Sequence, residues 1–297
     1  MSQNVKIVIG VLVLIIVGVG IFAFTNRPEP EVIPEPEVEV VVEEAPFSSM
    51  NVIGSSVNGR DIETHTYGSG ENHLLFVGGV HGGYEWNSTL LAYEFMDYLE
   101  ANPENVPEDI TVSIIPSLNP DGLYTVIEKE GRFTLADVPD PGTRTAEGRF
   151  NANNVDLNRN FDCKWAPESS WRGDVVSAGD EAFSEPEAQA LRDFVSEQNP
   201  KAVMFWHSQA NNVYASECEN GVLPETLTLM STYAKAAGYG EVPVFDAYPI
   251  TGDAEGWLAS INIPAVTVEL KGFQTTEWSQ NLEGSKAVID LYSTVAK

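Results

Sequence analysis

Histidine is scarce in this 297-residue chain: there are four, His65, His73, His81 and His207. A metal site needing two imidazoles must draw on that small stock. Cysteine is scarcer, with Cys163 and Cys218 alone, and their spacing fits no CxxC-type zinc or redox motif. The pair forms one disulfide in an oxidising compartment or stays as two free thiols. Basic residues are also few, 16 against 44 acidic ones, for a formal net charge of −28. Nucleic acid and anionic membrane surfaces need clustered Lys and Arg, so this balance argues against both as partners. The acidity serves solubility or, on a sharper reading, a preference for basic substrates. The length suffices for a substantial core in one large domain or two small ones.

What is present divides the chain in three. Residues 7–24, "IVIGVLVLIIVGVGIFAF", are apolar or glycine without a charge, and as a helix would extend about 27 Å, close to a bilayer core. No small-x-small cleavage site follows, so residues 1–27 are expected to be a transmembrane anchor, with a cleaved signal peptide as the rival. The protein is thus expected to be extracytoplasmic and membrane-anchored, touching membrane only through this segment. Residues 28–47 form an acidic, proline-rich linker; seven glutamates and five prolines fall within 28–46. Proline at that density blocks helix and sheet pairing, and like charges extend the chain. It reads as a tether, or as a tail without a spacer role. Residues 48–297 are the globular domain, expected to be monomeric.

Within that domain, "HLLFVGG" (73–79), "DITVSIIPS" (109–117), "KAVMFWH" (201–207) and "PAVTVEL" (264–270) read as buried strands, and "TLLAYEFMDYLE" (89–100) as a helix. A turn is expected at "NPDG" (119–122), and a capping box from Ser184 to Glu187 opens a helix over 184–198. Strands alternating with helices predict a single α/β domain with a mixed, mainly parallel central sheet and helices on both faces. Ligands of such sheets sit beyond the carboxyl ends of the strands. His81 follows the first of these strands, His207 ends the third and Glu269 lies near the end of the fourth. Singly, each also suits a turn residue, a core histidine or an ion-pair partner for Lys271.

The stretch "GRFNANNVDLNRNF" (148–161) puts two arginines and five asparagines outside any amphipathic pattern. Arginine offers a rigid donor fork for carboxylates and oxyanions. A polar surface loop with Arg159 paired to Asp156 or Asp162 is the plainer alternative. In this company the sequence resembles the zinc carboxypeptidase family over roughly residues 50–297. "GGVHGGYEWN", "PSLNPDG", "GRFNANNVDLNRNF", "FSEPEAQAL", "WHS", "YPITGDAEGW" and "TVEL" occur in the family's order. The resemblance implies one Zn2+ held by His81, Glu85 and His207, with Glu269 as general base and Arg149 polarising the scissile carbonyl. It further implies Asn158 and Arg159 for the substrate's terminal carboxylate and Tyr248 as a closing tyrosine, with neighbouring Arg144 and Tyr239 as competitors for the roles of Arg149 and Tyr248. The implied partner is a peptide with a free C-terminal carboxylate.

Two departures from the family stand out. The usual His-x-x-Glu is here His-x-x-x-Glu, and Tyr84 occupies the usual glutamate position. One extra residue in the glycine turn, with Glu85 still facing the metal, accommodates this. The region before residue 48 is too short and proline-rich for a folded activation domain, so the enzyme is expected to be made active. Asp253 and Glu255 follow the tyrosine and would favour a C-terminal Lys or Arg if they face the substrate; either could instead be exposed or cap a helix. A cell-wall peptide carboxypeptidase or amidohydrolase, an acyl-amino-acid amidohydrolase and a non-catalytic peptide-binding module are the alternatives.

Overall fold

The computed structural model describes residues 47–295. The expected anchor (1–27) and all of the expected linker but Phe47 lie outside the described residues. The expectation of a membrane-anchored protein is corrected: among the described residues no helix is long and apolar enough to cross a membrane. The transmembrane reading is therefore withdrawn, and with it the membrane as a partner.

Eight strands build one sheet. They are β1 (Ser48–Ser55), β2 (Asp61–Gly68), β3 (Asn72–Val77), β4 (Ile110–Ile115), β7 (Ala202–Ser208), β8 (Asn212–Ala215), β11 (Gly240–Val242) and β12 (Ala265–Leu270). Two small hairpins stand apart, β5 (Glu168–Trp171) with β6 (Asp174–Ser177), and β9 (Glu217–Cys218) with β10 (Gly221–Val222). The sheet order is β1-β2-β4-β3-β7-β12-β8-β11. Its centre, β4-β3-β7-β12, is parallel, with antiparallel pairings at β1/β2, β2/β4 and β12/β8. The expected mixed, mainly parallel sheet is thus found.

Why the central strands read as unbroken apolar runs is visible in their alternation. Leu74, Phe76, Met204, Trp206, Val266 and Val268 enter one core, with helices α1 (Trp86–Ala101), α4 (Pro224–Ala237) and α6 (Trp278–Tyr292). Leu75, Val77, Val203, Phe205 and Ala265 enter the other, with α3 (Pro186–Gln198) and α5 (Ala254–Ser260). Both faces are covered, so these strands are mainly apolar, and the buried polar pair His73 and Ser113 of β3 and β4 is accommodated by its own hydrogen bond. Each fully buried Leu, Phe or Val contributes roughly 1.5–3 kcal/mol to this arrangement.

Two local expectations differ. "NPDG" opens helix α2 (Pro120–Ile127) rather than a free turn: Asn119 caps it, accepting from the Gly122 N–H at 2.8 Å, and Pro120 takes the first position, where no N–H is needed. Helix α3 starts at Pro186 with Glu185 as N-cap, and the Ser184–Glu187 box does not form. Ser184 Oγ instead donates to Glu185 Oε1, and Glu187 accepts from the Val57 N–H and Asn151. Buried side-chain partners for both glutamates outcompete the local cap.

Candidate active site

The parity that sends Val203 and Phe205 into the α3/α5 core places His207 on the same side, and it places Glu269 beside it two residues after Thr267. Glu269 pairs in register with His207 across the parallel β7/β12 ladder. His81 and Glu85 arrive from the turn after β3. That turn needs glycine: Gly82 has φ +43°, and a Cβ there would meet Gly148 O and Gly122 C at 2.7 Å. The close approach of Gly82, Gly122 and Gly148 brings the segment carrying Arg149 against the turn that carries Glu85.

His81, Glu85 and His207 form the one His/Cys/Asp/Glu cluster able to hold a metal ion among the described residues. His207 Nδ1 lies 3.1 Å from His81 Nδ1 and 3.0 Å from Glu85 Oε2, and His81 Nδ1 lies 3.2 Å from the same oxygen. Atoms bound tetrahedrally to zinc at about 2.0–2.1 Å would stand about 3.3–3.4 Å apart, so the three donors fit such an ion with a few tenths of an ångström of widening. Glu85 points inward despite its extra residue, because residues 82–85 wind into one 3-10 turn, His81 and Glu85 meeting at its two ends.

A second layer of carboxylates aims these rings. His81 Nε2 faces Asp156 Oδ1 at 3.4 Å, and His207 Nε2 faces Glu255 Oε1 at 3.5 Å. A proton on each Nε2 leaves both Nδ1 lone pairs directed at the cluster, the tautomer a metal requires. The electrostatics agree. Burial alone would raise the Glu85 carboxyl, yet the His81 and His207 rings hold it well below the usual range. Burial would lower His207, but Glu255 and then Glu85 push it up to about 10. Two imidazoles ringed by buried carboxylates attract positive charge, and proton and metal compete for the place.

The other expected residues meet in the same cleft of about 680 Å³. Glu269 Oε2 is out of contact with solvent and has no hydrogen-bond partner. Its carboxyl is pushed up to about 7 by burial and by the Glu85 charge. Arg149 is buried and donates Nε to Asp156 Oδ2 at 2.9 Å, with Nη2 at 2.8 Å. The surface-loop alternative therefore fails: Asp156 binds Arg149 and not Arg159. Arg159 is buried, gives Nη1 to the Asn158 carbonyl and Nη2 to the Ser170 carbonyl, keeps Nε unpartnered, and has no carboxylate within ion-pair distance among the described residues. Asn158 Oδ1 accepts from the Ala254 N–H, fixing its amide at the cleft wall. Tyr248 is exposed on the rim, its ring 4.8 Å from Phe245. The rival Tyr239 is tied into the core by Glu277 and Asn281, outside the cleft lining.

Asp253 and Glu255 line the cleft but already have internal partners. Asp253 caps α5 by accepting from the Gly256 N–H at 2.7 Å, and burial and the Glu255 charge push it up to about 6. Glu255 accepts from Thr267 Oγ1 at 2.9 Å besides facing His207. Sequence reasoning did not single out Asp156 as the shared partner of His81 and Arg149, although it stands two residues before Asn158 in the quoted motif. It also missed the β5–β6 hairpin, whose Trp171 stacks 4.7 Å below Arg149 and 5.1 Å from Tyr84. Nothing in the local pattern signals that hairpin. Cys163 and Cys218 form a disulfide.

The sequence profile of the zinc carboxypeptidase family matches residues 38–278. A gamma-D-glutamyl-L-diamino acid endopeptidase from Lysinibacillus sphaericus is 27% identical over 245 residues, 76% of this chain and 61% of that protein. Zinc carboxypeptidase A 1 of Anopheles gambiae is 28% identical over 213 residues, 65% of this chain and 47% of that protein. The chain thus spans under two-thirds of the length of these curated relatives. Among solved structures, the murein-tripeptide amidase of Escherichia coli O157 shares the fold with a TM-score of 0.58 and 21% identity, covering 84% of this chain and 94% of that one. With the family profile covering most of its length and the His–Glu–His cluster in place, this chain belongs to the zinc carboxypeptidase family.

Proposed function

We propose that the chain is a zinc-dependent carboxypeptidase that hydrolyses the last peptide bond of peptides with a free C-terminal carboxylate. The observation that carries this reading is the meeting of three elements in one cleft: the His81–Glu85–His207 cluster, the unpartnered Glu269 Oε2 and an Arg159 without a carboxylate. His81, Glu85 and His207 would hold the zinc, which would supply Lewis acidity to a water and to the scissile carbonyl. Glu269 Oε2 takes the proton of the attacking water and delivers it to the leaving amine, a transfer for which a buried, unpartnered carboxylate is poised. Arg149, held by Asp156 through Nε and Nη2, stabilises the developing oxyanion through Nη1. Arg159 and Asn158 bind the terminal carboxylate, and Tyr248 folds over it from the rim. Asp253 and Glu255 at the cleft floor favour a C-terminal residue bearing a cation, a preference weakened by their internal partners.

A digest of a peptide panel read by mass spectrometry tests this. The expected products are peptides shortened by single C-terminal residues, with Lys or Arg released faster than Phe. C-terminal amidation blocks the reaction, and so does a chelator. Cleavage of amidated peptides at internal bonds, or action confined to a gamma-D-glutamyl-diamino acid peptide, would contradict the carboxypeptidase reading.

A further inference from the structure

The one-residue departure from His-x-x-Glu spacing leaves a structural problem, and a single guanidinium sits on it. Arg144 donates Nε to the Tyr84 carbonyl at 3.2 Å. Its Nη2 donates both to Glu85 Oε1 at 3.1 Å and to the Ser208 carbonyl at 2.8 Å. Its plane covers the Tyr84 ring at 3.6 Å. One side chain therefore ties together the two residues that end the lengthened turn and the residue that follows His207.

The effect on Glu85 is specific. Oε1 is taken by Arg144, whereas Oε2 faces both imidazole Nδ1 atoms and accepts from the Ser208 N–H at 3.2 Å. Charge makes the contact necessary as well as available. Asp156, Glu255 and Glu269 surround the cluster, and Arg149 is already bound to Asp156, so beside the two imidazoles at Oε2 it is Arg144 that places a permanent positive charge against Glu85, at Oε1. A carboxylate buried without its cation would turn away or protonate.

We infer that Arg144 is a positioning residue for the metal centre: it holds Glu85 so that Oε2 alone is offered to the ion, which makes the lengthened His81–Glu85 turn usable as a ligand pair. This rests on the metal-centre reading above. Lysine in its place would restore charge but not the three-way fork, because an ammonium cannot hold the Tyr84 carbonyl, Glu85 and the Ser208 carbonyl in one plane.

The test uses the full chain freed of metal. Zinc affinity is measured by competition with a chromophoric chelator, and the cobalt-substituted form is examined by visible absorption, which reports ligand number. Arg144→Ala is expected to weaken zinc binding about 10–100-fold and to lower the cobalt band intensity as Glu85 offers both oxygens, and Arg144→Lys to recover only part of either loss. Arg144→Gln, which keeps a stem over Tyr84, replaces the alanine variant if far-UV circular dichroism shows that one unfolded. Zinc affinity within about twofold of wild type, together with an unchanged cobalt spectrum, overturns the inference, since a supporting contact of this kind is worth at least tenfold. A wild-type chain that takes up neither metal overturns the metal-centre reading itself and this inference with it.

Discussion

Glu269 and His207 stand side by side on neighbouring parallel strands, one with an unpartnered buried oxygen and the other with its Nδ1 turned into the metal cluster. The proposed proton acceptor and the proposed metal ligand thus share one backbone ladder. Replacing Glu269 with Gln keeps volume and removes the acceptor. The turnover number should fall about 10²–10⁴-fold while bound zinc per chain stays unchanged, measured by peptide assay and elemental analysis together. Unaltered turnover would remove Glu269 from the chemistry.

Asp156 faces His81 through one oxygen and Arg149 through the other. Burial would raise its carboxyl, but the Arg149 guanidinium and His81 hold it far below the usual range. Asp156→Asn should therefore weaken zinc binding about 10–100-fold and, by stripping a buried guanidinium of its partner, cost about 3–5 kcal/mol of stability. Chelator competition and urea denaturation measure the two effects. A loss of stability with full zinc affinity would confine Asp156 to Arg149.

His73 lies far from the cleft, buried at the start of β3 with Nε2 2.8 Å from Ser113 Oγ. Burial lowers its pKa to about 4 from 6.5, partly offset by a bond to the Gln198 backbone. The fold favours the neutral ring, so this contribution is complete above pH 6.5, declines as pH falls and is gone below about 4. Up to about 3 kcal/mol is at stake. His73→Gln should flatten the stability-against-pH curve over that window by denaturant titration, and a variant as acid-sensitive as wild type would refute the assignment.

The Cys163–Cys218 disulfide closes a loop with a sequence separation of 55. By loop-closure entropy such a link is worth about 4 kcal/mol. It also ties the segment after Arg159 to β9, beside the cleft. Reduction, or the double Cys→Ser variant, should lower the denaturation midpoint and raise KM more than it lowers kcat. An unchanged KM would restrict the disulfide to stability.

Much of this was legible in the sequence because the central strands are covered on both faces. Continuous apolar runs ending in His207 and near Glu269 placed two site residues at strand ends without any knowledge of topology. The inward direction of Glu85 followed from treating the fifth residue of "HGGYE" as displaced rather than lost, and the 3-10 turn is how the chain absorbs it. What stayed hidden depends on long-range contact. Arg144 meets Glu85 across 59 residues, and Glu255 backs His207 across 48 while reading locally as a specificity residue. The capping box at Ser184 was a sound local pattern overruled by Asn160, which donates to Ser184 Oγ and accepts from the Glu185 N–H. The expected membrane anchor is withdrawn: residues 7–24 lie outside the described residues, and among those no helix is long and apolar enough to span a bilayer.

Anomalous X-ray diffraction at the zinc edge, on crystals of the full chain grown with one equivalent of zinc, bears most directly on the central claim. A single peak enclosed by His81 Nδ1, His207 Nδ1 and Glu85 Oε2 is the predicted result, and it should vanish in His207→Ala. A peak elsewhere, or one that ignores Glu85, would contradict the account.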